Sequence, residues 1–596
     1  MKGWVRVTVA GLLLCCGGGL WYYGPQLWAC LEAKHPQQAE RYARKIGLKH
    51  TRKIPLAAGR GKIFDCNGKE LVVNVADYAV ALKPGRNYSS QELGRLGKIL
   101  ELPAATVEVR AREARESEQP VVLRRHLTSG MLTFFEEEQR DFGDALLLAE
   151  PQRYYLYNNF ASHVLGSLGP LNSEDVQNPL YQGLQAGVTA GKTGVEKSYD
   201  YLLRGEEGLI SEVVGPDGNV LEQSTIIPPK PGKNLHLTLD YHLQKKAEEF
   251  AQSTLAYLRK NDAPQAYACS VVALEPKTGA VKVLLSLPDY DPNEFARGLT
   301  HEVWKRMNRN NYSVHFNRAT LGEYPPGSTF KIVTGTAALE SGAVKPDEKI
   351  FDPGYFPLVP SMGNAHKEKW GWLDFNKGFA LSDNVYFYEL GYRTGIDNLA
   401  KYAGIYGLGQ LTGIDIKEEE CGLVASRETR EKLGYFGWRL GDTLNASIGQ
   451  GYNLVTPLQL AVMASTVAAD GRRPVPYLVE RVTDESGQEC LKLEHKPAQQ
   501  VEISEKTLKL IQKGMKTVAQ SGTAYNFKNL ARPVAAKTGT AENGGKDHGL
   551  FVAYGPADSP ELCIAAVVEH GGYGATAAAP IVYKLFEEYY KVKGYK

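Results

Sequence analysis

Residues 325–340 read PPGSTFKIVTGTAALE and contain the pattern that decides how the centre of this chain folds. The apolar run from Ile332 to Leu339 is typical of a buried helix, and a Pro-Pro-Gly turn comes directly before it. Ser328 is therefore predicted at a helix N-terminus, with Lys331 one turn further along the same face. An amine placed there can take the hydroxyl proton while the positive helix end stabilises developing negative charge, provided that burial or a neighbouring cation lowers the lysine pKa.

A second polar pattern, Ser382-Asp383-Asn384, follows 54 residues after Ser328. Its hydroxyl and amide, two residues apart, are suited to relaying a proton and to holding a substrate amide. Taken alone, the same three residues are better interpreted as a turn that caps the next helix.

The tripeptide Lys-Thr-Gly occurs three times, so by itself it is a weak signal. One copy, 277–279, belongs to a predicted hairpin turn, and another, 192–194, lies in the N-terminal half. The third copy follows a strand-like segment and is followed by Thr540, and we expect it to line the edge of a sheet. A carboxylate-ended peptide could join that edge by strand addition, and a glycine there permits close backbone approach. The residues concerned are Lys537, Thr538, Gly539 and Thr540.

Composition excludes several classes of protein. The 596 residues are 43% hydrophobic and 23% charged, which argues against a disordered, collagenous or coiled-coil chain. A net charge of +2 gives no basic field, so we expect no nucleic-acid partner. The eight cysteines form no C-x-x-C pair, and we expect no metal and no cofactor.

Residues 186–193 fit a relaxed P-loop, but neither a first glycine nor a preceding strand supports an ATPase.

The first 31 residues predict a membrane anchor. The run from Val7 to Leu31 carries no charge, and about 20 apolar residues suffice to cross a bilayer. A cleaved signal peptide is the rival interpretation, but no A-x-A-like site follows the apolar core. We expect a single-pass protein of the cytoplasmic membrane with its N-terminus in the cytoplasm and its bulk outside.

The chain is predicted to have three parts: an anchor over 1–31, a non-catalytic region over 32–230 and a catalytic domain over 231–596. The Pro-rich segment 226–233 is predicted to link the last two, since prolines neither continue a helix nor pair within a sheet. Alternating and helical periodicities indicate an α+β domain whose sheet is built from both of its ends. The predicted strands are Leu235–Asp240, Cys269–Leu274, Ala280–Leu287, Leu550–Tyr554 and Leu562–Val568, and the predicted helices are Leu243–Leu258 and Ala579–Tyr590.

The ordered set of three motifs resembles the serine active site shared by penicillin-binding proteins and serine β-lactamases. Several longer stretches are similar to the class B penicillin-binding proteins in particular, and the resemblance covers nearly the whole chain from residue 57. One departure is Cys66, where the family often has arginine after the aspartate of its N-terminal signature. The similar stretches are 60–65, 153–155, 191–203, 237–240, 288–293, 449–451 and 456–459.

The resemblance implies a peptidoglycan D,D-transpeptidase that works through a serine acyl-enzyme and is trapped by β-lactams. It implies a penicillin-binding, β-lactamase-like domain, an antiparallel sheet flanked by helices, preceded by an elongated α+β pedestal of dimerisation type and one transmembrane helix. Ser328 would be the nucleophile and Lys331 its base. In the other motifs, Ser382 would pass a proton to the leaving amine, Asn384 would hold the donor amide, Lys537 would tune the local field, and Thr538, Gly539 and Thr540 would receive the terminal carboxylate.

The resemblance also implies partners and a branch of the family. Peptidoglycan stem peptides would be the substrates, and a membrane glycosyltransferase of the SEDS family would be the partner. The tail from His570 to Pro580 favours the elongation (rod-shape) type over the division and sporulation types.

Three other functions stay open at this stage. A serine β-lactamase needs a deacylating acid in an E-x-x-L-N motif, and the nearest match, Asp442-Thr443-Leu444-Asn445, has the wrong acid and spacing. A D,D-carboxypeptidase needs no long pedestal. A non-catalytic β-lactam receptor or scaffold would tolerate the loss of a motif, whereas all three are intact here.

Overall fold

The structure is a computed structural model that describes residues 50–117, 119–138, 145–215, 220–308 and 312–595. The predicted anchor, residues 1–31, lies outside these ranges. Within them, no helix combines the length and the apolar character that crossing a bilayer requires.

The described residues form two compact units. The smaller unit comprises the described residues up to Arg60 together with 74–152 and 205–232. The larger unit comprises 61–73, 153–204 and the chain from Lys233 onward. Two segments of the predicted pedestal, 61–73 and 153–204, therefore pack with the region predicted to be the catalytic domain.

Strands and helices are numbered in chain order. The strands are β1 His50–Leu56, β2 Ile63–Phe64, β3 Glu70–Leu82, β4 Val121–Arg124, β5 Ala145–Tyr155, β6 Leu168–Pro170, β7 Thr189–Gly191, β8 Gly208–Val214, β9 Val220–Ile227, β10 Asn234–Leu237, β11 Cys269–Leu274, β12 Val281–Leu287, β13 Ile350–Asp352, β14 Tyr355–Phe356, β15 Val359–Gly363, β16 Gly371–Leu373, β17 Arg472–Arg473, β18 Val479–Thr483, β19 Glu489–Leu491, β20 Gln499–Gln500, β21 Ala535–Ala541, β22 His548–Gly555 and β23 Leu562–Val568. The α-helices are α1 Ser90–Ile99, α2 Ala104–Glu116, α3 Ser129–Glu137, α4 Ser162–Leu165, α5 Gly194–Ser198, α6 Asp200–Leu203, α7 Tyr241–Asn261, α8 Pro292–Ala296, α9 His301–Met307, α10 Lys331–Glu340, α11 Phe375–Leu381, α12 Asn384–Thr394, α13 Ile396–Ile405, α14 Arg427–Lys432, α15 Leu440–Ser447, α16 Pro457–Ala468, α17 Glu505–Ser521, α18 Gly574–Ala577 and α19 Ala579–Val592.

The smaller unit contains a three-stranded sheet and a helical cluster. The sheet has the order β1-β8-β9, and its strands run antiparallel. Helices α1, α2 and α3 pack beside β4 around a small core that includes Leu96, Val107 and Phe135. The predicted linker began too early, because Ile226 and Ile227 belong to β9, where β-branched residues pair with β8 until Pro228 ends the strand.

The larger unit is built on a five-stranded antiparallel sheet of order β12-β11-β23-β22-β21. Strands β11 and β23 are buried along their whole length, as their apolar sequences, with Ser270 as the polar exception in β11, predict for strands covered on both faces. Helix α16 packs against both strands, while α7 packs on β12 and α19 packs on β22 and β23. The predicted α+β class, and a sheet built from both ends of the domain, are confirmed.

Helix α10 lies among α12, α13 and α17, and its residues 331–338 are all buried. The largely apolar run Ile332–Leu339 explains the position, since a helix without a charged face is stable only where packing surrounds it. The hydroxyls of Thr334 and Thr336 are hydrogen-bonded within the core. A short 3₁₀ turn, Gly327–Phe330, precedes α10 and packs against β21. The centre of the unit thus brings the first motif next to the third.

Three stretches that carried the family resemblance meet inside the larger unit. Arg153 donates to Glu196 with 2.6 Å between Nε and Oε1, and both side chains are at most 1% exposed. Arg153 also donates from Nη1 to the carbonyl of Gly61 over 2.6 Å. A buried charge requires a partner of this kind. The pair therefore holds segment 153–204 against the rest of the larger unit.

Candidate active site

Ser328 lies half-buried in the 3₁₀ turn that runs directly into α10. Gly327, before it, has a φ of +52°, and a Cβ there would lie 2.2 Å from the carbonyl oxygen of Thr540. Only glycine fits this approach. Consequently the backbone of the serine turn lies against the backbone of β21.

Lys331 is fully buried on the first turn of α10. Its Nζ donates to the carbonyl of Ser382 over 2.6 Å and to Oδ1 of Asn384 over 2.7 Å. A neutral amine has two N–H groups and one lone pair, so these two acceptors leave the lone pair for a third group. Three residues earlier, in the 3₁₀ turn that precedes α10, Ser328 supplies the hydroxyl that such a base would serve.

Burial lowers the pKa of Lys331 to about 7, against an opposing effect of the nearby Asp383 carboxyl. The interpretation of Lys331 as a base requires such a decrease in its pKa. A lowered lysine pKa means that much of the amine is unprotonated at neutral pH.

The second motif forms the junction between α11 and α12. Ser382 has a left-handed backbone with a φ of +56°, and the carboxyl of Asp383 accepts from the N–H of Tyr386 over 2.5 Å. The cap that was the plainer interpretation of this motif is therefore present. It coexists with the polar contacts to Lys331, because the cap fixes the turn from which Ser382 and Asn384 project.

Lys537 approaches Ser382 from the sheet. Its Nζ donates to Ser382 Oγ over 2.8 Å and to the carbonyl of Thr538 over 3.2 Å. Burial, followed by the charge of Lys331, holds the pKa of Lys537 well below its usual range. Ser382 Oγ also lies 3.4 Å from Lys331 Nζ, so this hydroxyl is placed between two amines and can move a proton between them.

Strand β21 carries the third motif at the edge of the five-stranded sheet. A Cβ on Gly539 would lie 2.9 Å from Thr329 Cγ2, which explains why a glycine faces the serine turn. The hydroxyls of Thr538 and Thr523 form one hydrogen bond with 2.8 Å between their oxygens, and Thr540 Oγ1 accepts from the N–H of Gly574 over 3.4 Å. Hydroxyls and an open strand edge suit a peptide that ends in a carboxylate.

The structure thus joins Lys331, Ser382, Asn384 and Lys537 by hydrogen bonds and sets Ser328 and 538–540 beside them. The other two Lys-Thr-Gly copies have other contacts: Lys192 pairs with Asp175, and Thr278 lies in the hairpin turn.

The sequence reasoning missed Thr523 and Asn364, which contact the third and second motifs. Both residues follow the ends of regular elements and carry no periodic or spacing signal.

Comparison with known proteins supports one family. The model of the penicillin binding protein transpeptidase domain matches residues 269–587, and that of the penicillin-binding protein dimerisation domain matches residues 55–237. Peptidoglycan D,D-transpeptidase MrdA of Escherichia coli K12 is 31% identical over 553 residues, which are 87% of this chain and 85% of the relative. A complex of PBP2 and MreC from Helicobacter pylori matches with a TM-score of 0.78 at 26% identity, covering 92% of this chain and 100% of that one. A solved peptidoglycan synthase complex that coordinates polymerization and crosslinking matches with a TM-score of 0.72 at 27% identity, covering 100% of this chain and 99% of that one.

Proposed function

The chain belongs to the class B penicillin-binding proteins and is a peptidoglycan D,D-transpeptidase of the rod-shape elongation type, and on that premise we propose that Ser328 is the nucleophile of its acyl transfer. The predicted family and reaction are thereby confirmed. The observation that carries the residue assignment is the position of Ser328 in the turn that leads into α10, three residues before the buried amine of Lys331.

Acylation begins when Ser328 Oγ attacks the carbonyl carbon of the penultimate D-alanine of a stem peptide. The hydroxyl proton passes to Lys331 Nζ, whose lone pair is left available by its two donated hydrogen bonds. Backbone N–H groups of Ser328 and Thr540 hold the oxyanion, each contributing about 3 kcal/mol by analogy with other acyl-transfer enzymes. The bond to the terminal D-alanine then breaks, and its amine takes a proton through Ser382.

Transfer completes the reaction. The amine of a second stem peptide attacks the ester on Ser328, forms the new amide and loses its proton through the same lysine–serine network. Ser328 recovers its proton as it leaves. Asn384 holds the donor amide, Lys537 favours proton transfer at Ser382, and the hydroxyls of Thr538 and Thr540 receive the donor carboxylate at the edge of β21, where Gly539 allows close approach.

The cellular setting is part of the proposal. Residues 1–31 would anchor the chain in the cytoplasmic membrane, with the catalytic domain outside. An MreC-like scaffold would be one partner, supported by the similar complex of PBP2 with MreC. The SEDS-family glycosyltransferase that the resemblance implies would be the other, in keeping with the polymerization carried out by the similar peptidoglycan synthase complex. In that setting, cross-linking would take place next to the polymerisation of the glycan.

A serine β-lactamase is the alternative function, and the structure allows its requirement for a deacylating acid to be examined. Asp442, the nearest match to a deacylating acid, forms an ion pair with Arg430 and accepts from the N–H of Arg439 over 2.9 Å. A carboxylate engaged in this way does not activate a water on the ester.

We therefore expect the penicilloyl adduct of the wild-type protein to decay over hours and not within seconds. The protein is labelled with a fluorescent penicillin, freed of excess reagent, and followed by gel fluorescence and intact mass. Rapid loss of the adduct with appearance of penicilloic acid would instead favour the β-lactamase.

A further inference from the structure

The side chain of Asn364 lies where the β14–β15 hairpin meets the second motif. It follows directly after β15, is half-buried, and contributes both ends of its amide to neighbouring groups. Its Nδ2 donates to Oδ2 of Asp352 over 3.0 Å and to Oδ2 of Asp383 over 2.9 Å. One neutral amide therefore joins two carboxyl groups.

Both carboxyl groups are buried, with Asp352 1% and Asp383 2% exposed. Two acids in a dry site are stable only if donors surround them. The N–H groups of Gly354 and Trp370 donate to Asp352 over 2.6 and 2.9 Å. Asp383 has the N–H of Tyr386 over 2.5 Å and the Asn364 amide. The amide is the donor that the two acids share.

The oxygen of the same amide faces the start of α12. Asn364 Oδ1 accepts from the N–H of Asn384 over 2.9 Å and from that of Val385 over 3.3 Å. These N–H groups have no partner within the first turn of a helix, so an external acceptor fixes the helix start. Since Asn384 Oδ1 accepts from Lys331, the amide of Asn364 lies one residue away from the general base.

We propose that Asn364 is a positioning residue of the transpeptidase reaction, which holds the Ser382–Asn384 turn against Lys331 by bridging Asp352, Asp383 and the first N–H groups of α12. The inference rests on the proposed function and extends it to a residue outside the three motifs. Asn364 does not touch the reacting atoms. It acts through the turn that carries them.

The arrangement also couples Asn364 to the charge of Lys331. Burial raises the pKa of Asp383, and Asp352 on β13 raises it further, while the ammonium of Lys331 on α10 lowers it. In the part of the chain that the structure describes, Asp383 interacts electrostatically with Asp352, with Lys331 and with Tyr388 on α12, and Lys537 on β21 lies beyond Lys331. Loss of the amide donor destabilises the Asp383 carboxylate, and a less ionised Asp383 favours the Lys331 ammonium less. The pKa of Lys331 then falls.

The test measures the rate constant of acylation by a fluorescent penicillin in the full-length protein between pH 5.5 and 9. In Asn364→Ala we expect the plateau rate constant to fall by about tenfold or more, which is the usual effect of losing a hydrogen bond to a charged group. We also expect the midpoint of the pH profile to move to lower pH. Asn364→Ser, which keeps one donor, should lie between Asn364→Ala and the wild type, and it provides the measurement if the alanine variant does not fold.

The matched control is Asn261→Ala, which removes an exposed amide at the end of α7 that donates to the carbonyl of Tyr257. Its rate constant and midpoint should equal those of the wild type. Protein that stays unfolded during the assay lowers the amplitude of labelling and not the rate constant, and a fall in the folded fraction does not by itself move the midpoint in the direction expected for Lys331; the folded fraction of each variant is therefore measured by circular dichroism at each pH. Wild-type rates and an unmoved midpoint in both Asn364 variants would overturn the inference, whereas a wild-type protein that is not labelled at all would overturn the proposed function instead.

Discussion

Ser328→Ala is expected to abolish covalent labelling by penicillin and to lower turnover of a donor peptide ending in D-alanyl-D-alanine by roughly 10³-fold or more. Ser328 lies on the turn whose backbone contacts Thr540 and three residues before the buried Lys331. No acyl-enzyme forms without its oxygen, and the network left behind can only orient the substrate. The measurement is gel fluorescence of the labelled protein, together with the release of D-alanine.

Ser341→Ala is the matched control, because Ser341 lies at the other end of α10 and is exposed. It should be labelled like the wild type. If Ser328→Ala were still labelled with the stoichiometry of the control, the nucleophile assignment would be wrong.

Lys331→Met is expected to lower the acylation rate constant by a similar factor, roughly 10³-fold. Methionine conserves most of the volume of the buried side chain, so the packing around α10 should persist while the base is lost. In the wild type, the rate constant should rise with pH through the lowered pKa of Lys331, near 7, and reach a plateau above it, because only the neutral amine accepts the proton. The variant should lose this rise. Stopped-flow or gel-based acylation rates across the pH range measure both effects.

Lys513→Met, on the exposed face of α17, serves as the control and should keep both the rate and the pH profile. A Lys331→Met protein that retained the wild-type rise near neutral pH would show that another group is the base.

Much of the larger unit could be predicted from local sequence. Strand β23 matches its predicted range, Leu562–Val568, residue for residue, and β11 does the same at Cys269–Leu274. Continuous apolar runs and turn residues define such strands without knowledge of their neighbours. The order of the three motifs was equally visible, and it identified four side chains that meet through hydrogen bonds.

Contacts between segments distant in sequence could not be predicted in this way. Asn364 sits in an irregular stretch between β15 and β16, and its importance comes only from what the fold places around its amide. The left-handed backbone of Ser382 likewise depends on packing, since a serine has no intrinsic preference for a positive φ. The end of β9 at Ile227 was missed because two prolines outweighed the β-branched residues before them.

The central claim, acyl transfer at Ser328, is tested most directly by locating the penicillin adduct on the wild-type protein. Trypsin is expected to release residues 319–331, ATLGEYPPGSTFK, as one peptide. Tandem mass spectrometry should find a single penicilloyl group, on Ser328 of this peptide. An adduct on any other residue, or a folded protein that forms none, would contradict the account.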